Sequence, residues 1–272
     1  MNIFDAHNDF LTVLNQKKAF KYIDKLKDIH LCSAIWTTQL NEVDIFRLIN
    51  EAYLIEKEYN KTLISIEDCG FLNSKNYYNL IKYKPFSASL VWNEDNALGG
   101  GAFGHSDLTK RGKNLVNRFE RDGIYVDLAH TNEKTFYSIA RISQKPLFCS
   151  HCGFYSLKQH ERNLKDYQIK MIVDSGGMIG LAMVVDFLSE NKTAKIDDIC
   201  NQILFFANKY GINNLCLGTD FFGTKNTPKG INKYSDIKKL KDSLTKLGFS
   251  ASDIEQIFYR NLENFISTAY QT

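Results

Sequence analysis

The sequence predicts a (β/α)8 barrel, on three observations. Its length of 272 residues suits the roughly 250 that such a barrel takes. Eight short runs rich in Val, Ile, Leu, Phe, Ala and Cys recur along the chain without strict alternation, as parallel strands buried on both faces do. Longer amphipathic or polar stretches separate them, and with 3 prolines and 16 glycines no flexible linker interrupts the pattern. Residues 1–272 are therefore expected to form one barrel domain. An open doubly wound sheet is the competing arrangement. It would usually carry a glycine-rich phosphate loop after its first strand, where this chain has His7, Asn8, Asp9 and Phe10.

Taken in order, strands are expected at 3–9, 31–38, 62–67, 86–92, 123–129, 146–151, 177–184 and 214–220. Asn41 to Tyr59 carries Val43, Phe46, Leu48, Ile49, Tyr53 and Ile55 at near-helical spacing. Thr109 to Arg121 does the same with Leu115, Val116 and Phe119. Asn132 to Ser143 and Ile196 to Tyr210 follow the same logic, and Gly123 and Gly211 sit just past helix ends as C-caps. Ser235 to Leu247, Ser252 to Tyr259 and Leu262 to Ala269 close the chain as helices. The segment Leu98 to Gly104 is glycine-rich, but it follows a mid-chain strand and lacks Gly-Lys-Ser/Thr. It reads as an active-site loop or, equally, as a plain turn.

Composition narrows the function classes. A net charge of +3 with scattered lysines gives no dense basic run, so nothing requires nucleic acid. No 18-residue apolar run exists, and Asp5, His7 and Asp9 fall where a signal core would lie. The expected location is cytoplasmic. The cysteines at 32, 69, 149, 152, 200 and 216 are expected to be buried thiols rather than disulfides in such a compartment. Cys149 and Cys152 are spaced as a redox or zinc pair, but no second Cys pair completes a Cys-type zinc site.

The expected strand ends hold the chemistry. The first ends in His7 and Asp9, the third in Glu67, the fifth in His130, the sixth in His151 and the eighth in Asp220. In a barrel these C-terminal ends share one rim, where active sites sit. Taken singly, each residue would more often be a satisfied core histidine or an acidic helix cap. Six on one rim, including three of the six histidines, point instead to zinc or a similar divalent ion. One carboxylate shared between two ions is the natural arrangement of such a set, and two metals about 3.5–4 Å apart can hold and ionise a water.

The order His-x-Asp, Glu, His, His, Asp resembles the metal-dependent amidohydrolase superfamily. More closely, the chain resembles the renal (membrane) dipeptidase family. The supporting stretches run from Phe4 to Asp9, Ile66 to Asp68, Asp127 to His130, Pro146 to His151 with Glu161-Arg162-Asn163-Leu164, Gly218 to Phe221, and Asn261 to Phe265. The resemblance implies a dipeptidase using two zinc ions, with a hydroxide between them as nucleophile. His7 and Asp9 would bind one ion, His130 and His151 the other, with Glu67 bridging. Asp220 would contact the nucleophilic water and carry its proton to the leaving amine, a role that suits a carboxylate within hydrogen-bond reach. Arg162 would hold the dipeptide's C-terminal carboxylate, which a guanidinium matches bidentately. Spacing alone would favour a surface salt bridge to Glu161 or Asp166, and the motif reverses that.

Two departures from the family are visible. Its mammalian members have a His after strand four that steadies the oxyanion, and Trp92 stands there. An indole N–H donates one hydrogen bond but carries no charge. His105 is the expected substitute, against the alternative of a solvated loop histidine. The chain is also shorter than mammalian members, and their signal, lipid-anchor tail and disulfide pattern are not expected of it. Another hydrolase on the same barrel (an amidase, lactonase or deoxyribonuclease) is the alternative, as is a binding protein that kept the metal site. Arg162 and the absence of a basic patch argue against a nuclease, and the full ligand set argues against a binding protein. The expected partner is a small-molecule dipeptide, with neither nucleic acid nor a membrane. The sequence sets no oligomeric state, and a homodimer stays open.

Overall fold

The structure is a computed structural model that describes residues 1–14 and 16–269; residues 15 and 270–272 of the expected domain span lie outside it. Eight strands are all parallel and close into a barrel in sequence order. They are β1 (Ile3–Asn8), β2 (Ile29–Trp36), β3 (Thr62–Glu67), β4 (Ser87–Ser89), β5 (Tyr125–Asp127), β6 (Phe148–Cys152), β7 (Met178–Leu181) and β8 (Leu215–Leu217). Every expected strand is present. Several are shorter than their apolar runs, because the residues past the last ladder bond leave the sheet to build the rim.

The helices are α1 (Phe10–Val13), α2 (Gln16–Ile23), α3 (Glu42–Tyr59), α4 (Tyr77–Ile81), α5 (Lys110–Arg121), α6 (Glu133–Ile142), α7 (Asp166–Asp174), α8 (Val185–Leu188), α9 (Ile196–Tyr210), α10 (Ile237–Lys246), α11 (Ala251–Glu255) and α12 (Asn261–Ala269). The long helices start where a side chain can take a free N–H. Asn41, Thr109 and Asn132 each accept from the backbone three residues on. Gly123 and Gly211 follow α5 and α9 with positive φ, as expected of helix C-termini. The helix expected over Ser252–Tyr259 instead divides into α11 and a π-helical turn, Gln256–Arg260. Among the described residues no helix is long and apolar enough to cross a membrane.

Two apolar layers result. The larger lies between the strands and the helices around them. The smaller takes Phe4, Cys32, Phe86, Tyr125, Phe148, Met178 and Cys216, with Leu63 packed against them. These residues come from around the whole ring of strands, so the layer is the barrel interior. Leu262, Phe265 and Ile266 of α12 complete it. The C-terminal helix thus plugs one mouth of the barrel, and Asn261 Nδ2 donates to the carbonyls of Ile212 (2.6 Å) and Leu215 (2.7 Å) at the start of β8.

The interior layer fixes which side chains face inward. On β3, Leu63 faces in, so Ser65 and Glu67 follow at period two. On β5, Tyr125 and then Asp127 do the same. β1 and β6 break this rule. Asp5 pairs with Leu31 and Asn8 with Ser33, so three steps on β1 face two on β2. Cys149 pairs with Ile179 and Cys152 with Leu181, the same one-residue surplus on β6. Each surplus is a β-bulge, which re-aims side chains next to a site. In β1 it lets His7 face inward although Phe4 and Ala6 already do. In β6 it presents both Ser150 and His151. The Ser150 carbonyl then presses into the barrel, where a Cβ at Gly180 or Gly218 would lie 1.8 or 1.9 Å from its oxygen. Only glycine fits at both positions.

Candidate metal centre

At the C-terminal rim, Glu67 Oε1 lies 3.8 Å from His7 Nε2, 2.8 Å from His130 Nε2 and 3.8 Å from His151 Nε2. Asp9 Oδ2 is 3.3 Å and Asp220 Oδ1 3.9 Å from His7 Nε2. Three overlapping groups could each hold an ion: His7 with Asp9 and Glu67; Glu67 with His130 and His151; His7 with His151 and Asp220. All six residues named from the strand ends therefore meet in one cluster. His130 and Asp220 reach it from positive φ values of 66° and 59°, an uncommon backbone for these residues and a local strain.

The far side of each ring is anchored. His130 Nδ1 is 2.9 Å from Asn93 Oδ1. His151 Nδ1 is 2.8 Å from Ser150 Oγ, and His7 Nδ1 is 3.4 Å from the same oxygen. An Asn carbonyl only accepts, so His130 donates from Nδ1 and keeps a bare Nε2. Behind β1, the Asp5 carboxylate accepts from the Thr219 N–H (2.7 Å) and hydroxyl (2.6 Å) and from the Tyr234 hydroxyl. That knot fastens the segment carrying Asp220 to the strand carrying His7.

The charges are unbalanced without a cation. Burial alone would lower the His7 pKa, but Asp9, Glu67 and Asp220 outweigh it and push it to about 10. Burial raises Asp220 well above the usual carboxylate range, and neighbouring Asp9 adds to this. Burial would also raise Glu67, but His130 and His7 overcome it and hold Glu67 at about 2. Burial lowers His130 to about 4, with Arg162 adding to the effect. His7 Nε2 is buried with no hydrogen-bond partner. A buried ring nitrogen without a partner, facing three carboxylates, fits a divalent metal.

Above the cluster lies a cavity of about 460 Å³, walled by Trp36, Trp92, Phe103, His160, Phe187 and Phe222 among others. Arg162 lies in its wall, 6% exposed. Its Nη2 is 2.7 Å from His151 Nε2, and its guanidinium stands 5.3 Å from the Phe187 ring centre. Among the described residues it makes no ion pair with Glu161 or Asp166; Asp166 pairs with Lys209 instead. Trp92 faces the cavity, its ring centroid 5.9 Å from that of His130 and 5.1 Å from that of Trp36.

His105 is not brought in. It is exposed, its backbone N–H bonds Asp95, and it lines a separate cavity with Tyr137 and Tyr167. The glycine segment before it is close-packed rather than open. A Cβ on Gly100 would meet the Ser106 carbonyl at 2.2 Å, and one on Gly101 the Trp92 carbonyl at 2.3 Å. Only Phe103 of this segment reaches the metal cavity. Sequence reasoning missed His160, whose Nδ1 accepts the Arg162 N–H at 3.1 Å. Its proximity to Arg162 in the Glu-Arg-Asn-Leu stretch was the available signal. Asp186, also in the wall, was missed as well.

The membrane dipeptidase (peptidase family M19) description matches residues 10–271. A dipeptidase of Claviceps purpurea is 26% identical over 159 residues, 58% of this chain and 37% of its own length. A dipeptidase of Aspergillus oryzae is 28% identical over 152 residues, 55% of this chain and 36% of its own. The chain thus matches somewhat over a third of the length of these curated relatives. A solved metallo peptidase from Rhodobacter sphaeroides, liganded with a phosphinate mimic of the dipeptide L-Ala-D-Ala, has a TM-score of 0.86 at 20% identity, covering 98% of this chain and 99% of that one. That likeness is one of fold.

Proposed function

From the premise that this chain belongs to the membrane dipeptidase family of metallopeptidases, we propose that it is a cytoplasmic dinuclear zinc dipeptidase, acting through the whole chain as one catalytic unit. The observation that carries this reading is the convergence of three Nε2 atoms and three carboxylates in one cluster, with Glu67 Oε1 within 3.8 Å of all three nitrogens, beneath a cavity with a buried arginine. His7 and Asp9 would hold one ion and His130 and His151 the other, with Glu67 shared; two zinc ions held there would supply an activated water as nucleophile at neutral pH and polarise the scissile carbonyl.

The chain's own residues do the rest. Asp220, at the edge of the cluster, takes the proton of the attacking water and returns it to the leaving amine. Arg162 receives the substrate's terminal carboxylate, so reach from that guanidinium to the metals measures out a short peptide. Trp36, Trp92, Phe103, Phe187 and Phe222 give the substrate an aromatic wall to lie against. Six buried thiols without a disulfide among the described residues suit a reducing compartment.

Metal analysis tests the reading. Protein reconstituted with zinc should approach two ions per chain, and Glu67→Gln should lose or disorder both. A reproducible ceiling of one ion in the wild type would overturn the dinuclear assignment.

A further inference from the structure

We propose that Ser150 is a positioning residue that ties the two halves of the metal centre together: its single hydroxyl holds the Nδ1 proton of both His7 and His151. The inference rests on the two-ion reading above, in which these histidines serve different ions.

Ser150 is 1% exposed. Its Oγ lies 2.8 Å from His151 Nδ1 and 3.4 Å from His7 Nδ1, and the two rings are stacked with centroids 3.8 Å apart. A hydroxyl has one proton and two lone pairs. The Asp127 carboxylate accepts the Ser150 backbone N–H at 2.9 Å, and with each Nε2 turned to a proposed ion, each Nδ1 carries its ring's proton and donates to the hydroxyl. Asp127 itself is held in the barrel by the Ala129 N–H at 3.0 Å. Each lone pair of Ser150 then accepts one imidazole N–H. Each ring is fixed as the Nδ1–H form and turns a bare Nε2 toward the cluster.

Among the described residues neither Nδ1 atom has another hydrogen-bond partner. The β6 bulge is what places Ser150 and His151 side by side facing inward, and Gly180 and Gly218 make room for it. His130 is the internal contrast, since its Nδ1 partner is Asn93. Losing Ser150 therefore disturbs a ligand of each ion, whereas losing Asn93 disturbs a ligand of one. Outer partners of metal-bound histidines are typically worth about 10–100-fold in metal affinity.

The test is titration of the metal-free protein with cobalt(II), followed by visible absorption, on wild type, Ser150→Ala and Asn93→Ala. Wild type should take up two ions. In Ser150→Ala both uptake steps should move to about 10–100-fold higher cobalt, and in Asn93→Ala only one step should move. An Ser150→Ala isotherm within twofold of wild type, or one in which a single step moves, overturns the proposal. A wild-type plateau at one ion overturns the two-ion reading and this inference with it, and is recognised without any variant. As a second readout, proton NMR of the zinc-loaded wild type should show hydrogen-bonded imidazole N–H signals, of which two are lost in Ser150→Ala; loss of none overturns the proposal even where the variant's affinity falls through poor folding.

Discussion

Arg162 Nη2 donates to His151 Nε2 across 2.7 Å, so a guanidinium occupies the lone pair that an ion would take. One protein cation stands where a metal cation is proposed, and the two compete for the same nitrogen. On the proposed reading, an ion on that nitrogen would displace Arg162 toward the cavity, where a substrate carboxylate could receive it.

The first prediction follows from that competition. Arg162→Ala should bind zinc at least as well as the wild type while losing most dipeptide kcat/KM, by about 2–5 kcal/mol for a buried charge pair stripped of one partner. Amidating the substrate's C-terminus should slow the wild type and scarcely change the variant, a double-mutant cycle with one partner on the ligand. Equal wild-type rates on free and amidated dipeptides would end the dipeptidase reading.

On the proposed reading, Asp220 moves protons and is not one of the main metal ligands. Asp220→Asn should keep most of its zinc and its fold but lose roughly a hundred- to ten-thousand-fold in kcat. Near-normal turnover in a metal-loaded variant would show that another group carries the proton.

Trp92 lines the cavity but cannot offer a charge to a developing oxyanion, and His105 lines a separate cavity. Dipeptide hydrolysis should therefore be slow, with activated esters or lactones relatively better substrates. An oxyanion donor is worth about 3–4 kcal/mol in other enzymes, so Trp92→His should raise dipeptide kcat by roughly tenfold or more, and His105→Ala should leave it alone. Fast wild-type turnover of dipeptides would contradict this. Because the chain has 2 tryptophans and both wall the cavity, ligand binding can be followed by intrinsic fluorescence in the same samples.

A fourth prediction concerns stability away from the site. Burial raises the Glu56 carboxyl on α3 to about 7, above its unfolded value. The stability it contributes is complete below about pH 4.5 and is lost as pH rises through 7, where the folded state must bury an anion. Glu56→Gln should match the wild type in denaturant at pH 5 and exceed it at pH 8 by on the order of 1–2 kcal/mol, after discounting for solvent screening of a partly exposed group. Equal stabilities at pH 8 would show that Glu56 relaxes into solvent.

Much of this site can be read in the sequence because a parallel barrel brings every strand's C-terminal end to one rim. Glu67 and His151 were found by that geometry alone. The bulges in β1 and β6 were not, since a surplus residue exists only relative to the neighbouring strand's register. Without them the alternation of Phe4 and Ala6 would turn His7 out of the barrel. His160 stayed hidden because its place depends on how residues between β6 and α7 fold back over the rim. α7 itself escaped notice; its Ile169 and Ile172 are too few over nine residues to display a clear helical period. His105 misled because closeness in sequence to a glycine segment says nothing about which side of a close-packed loop it leaves from.

The cysteines have one more consequence. Cys32, Cys149, Cys152 and Cys216 lie on barrel strands, Cys69 beside β3 and Cys200 on α9, and all six are at most 1% exposed. A thiol-modifying reagent can reach none of them from the native surface, so each labelling event must wait for an opening reaction. The four strand thiols should react at the rate of global unfolding, and Cys200 at the rate at which α9 lifts from the barrel. Mass spectrometry of a labelling time course would then rank the opening energies of the two layers in the unmodified protein, and adding zinc should slow Cys149 and Cys152, which flank His151, together with the other strand thiols.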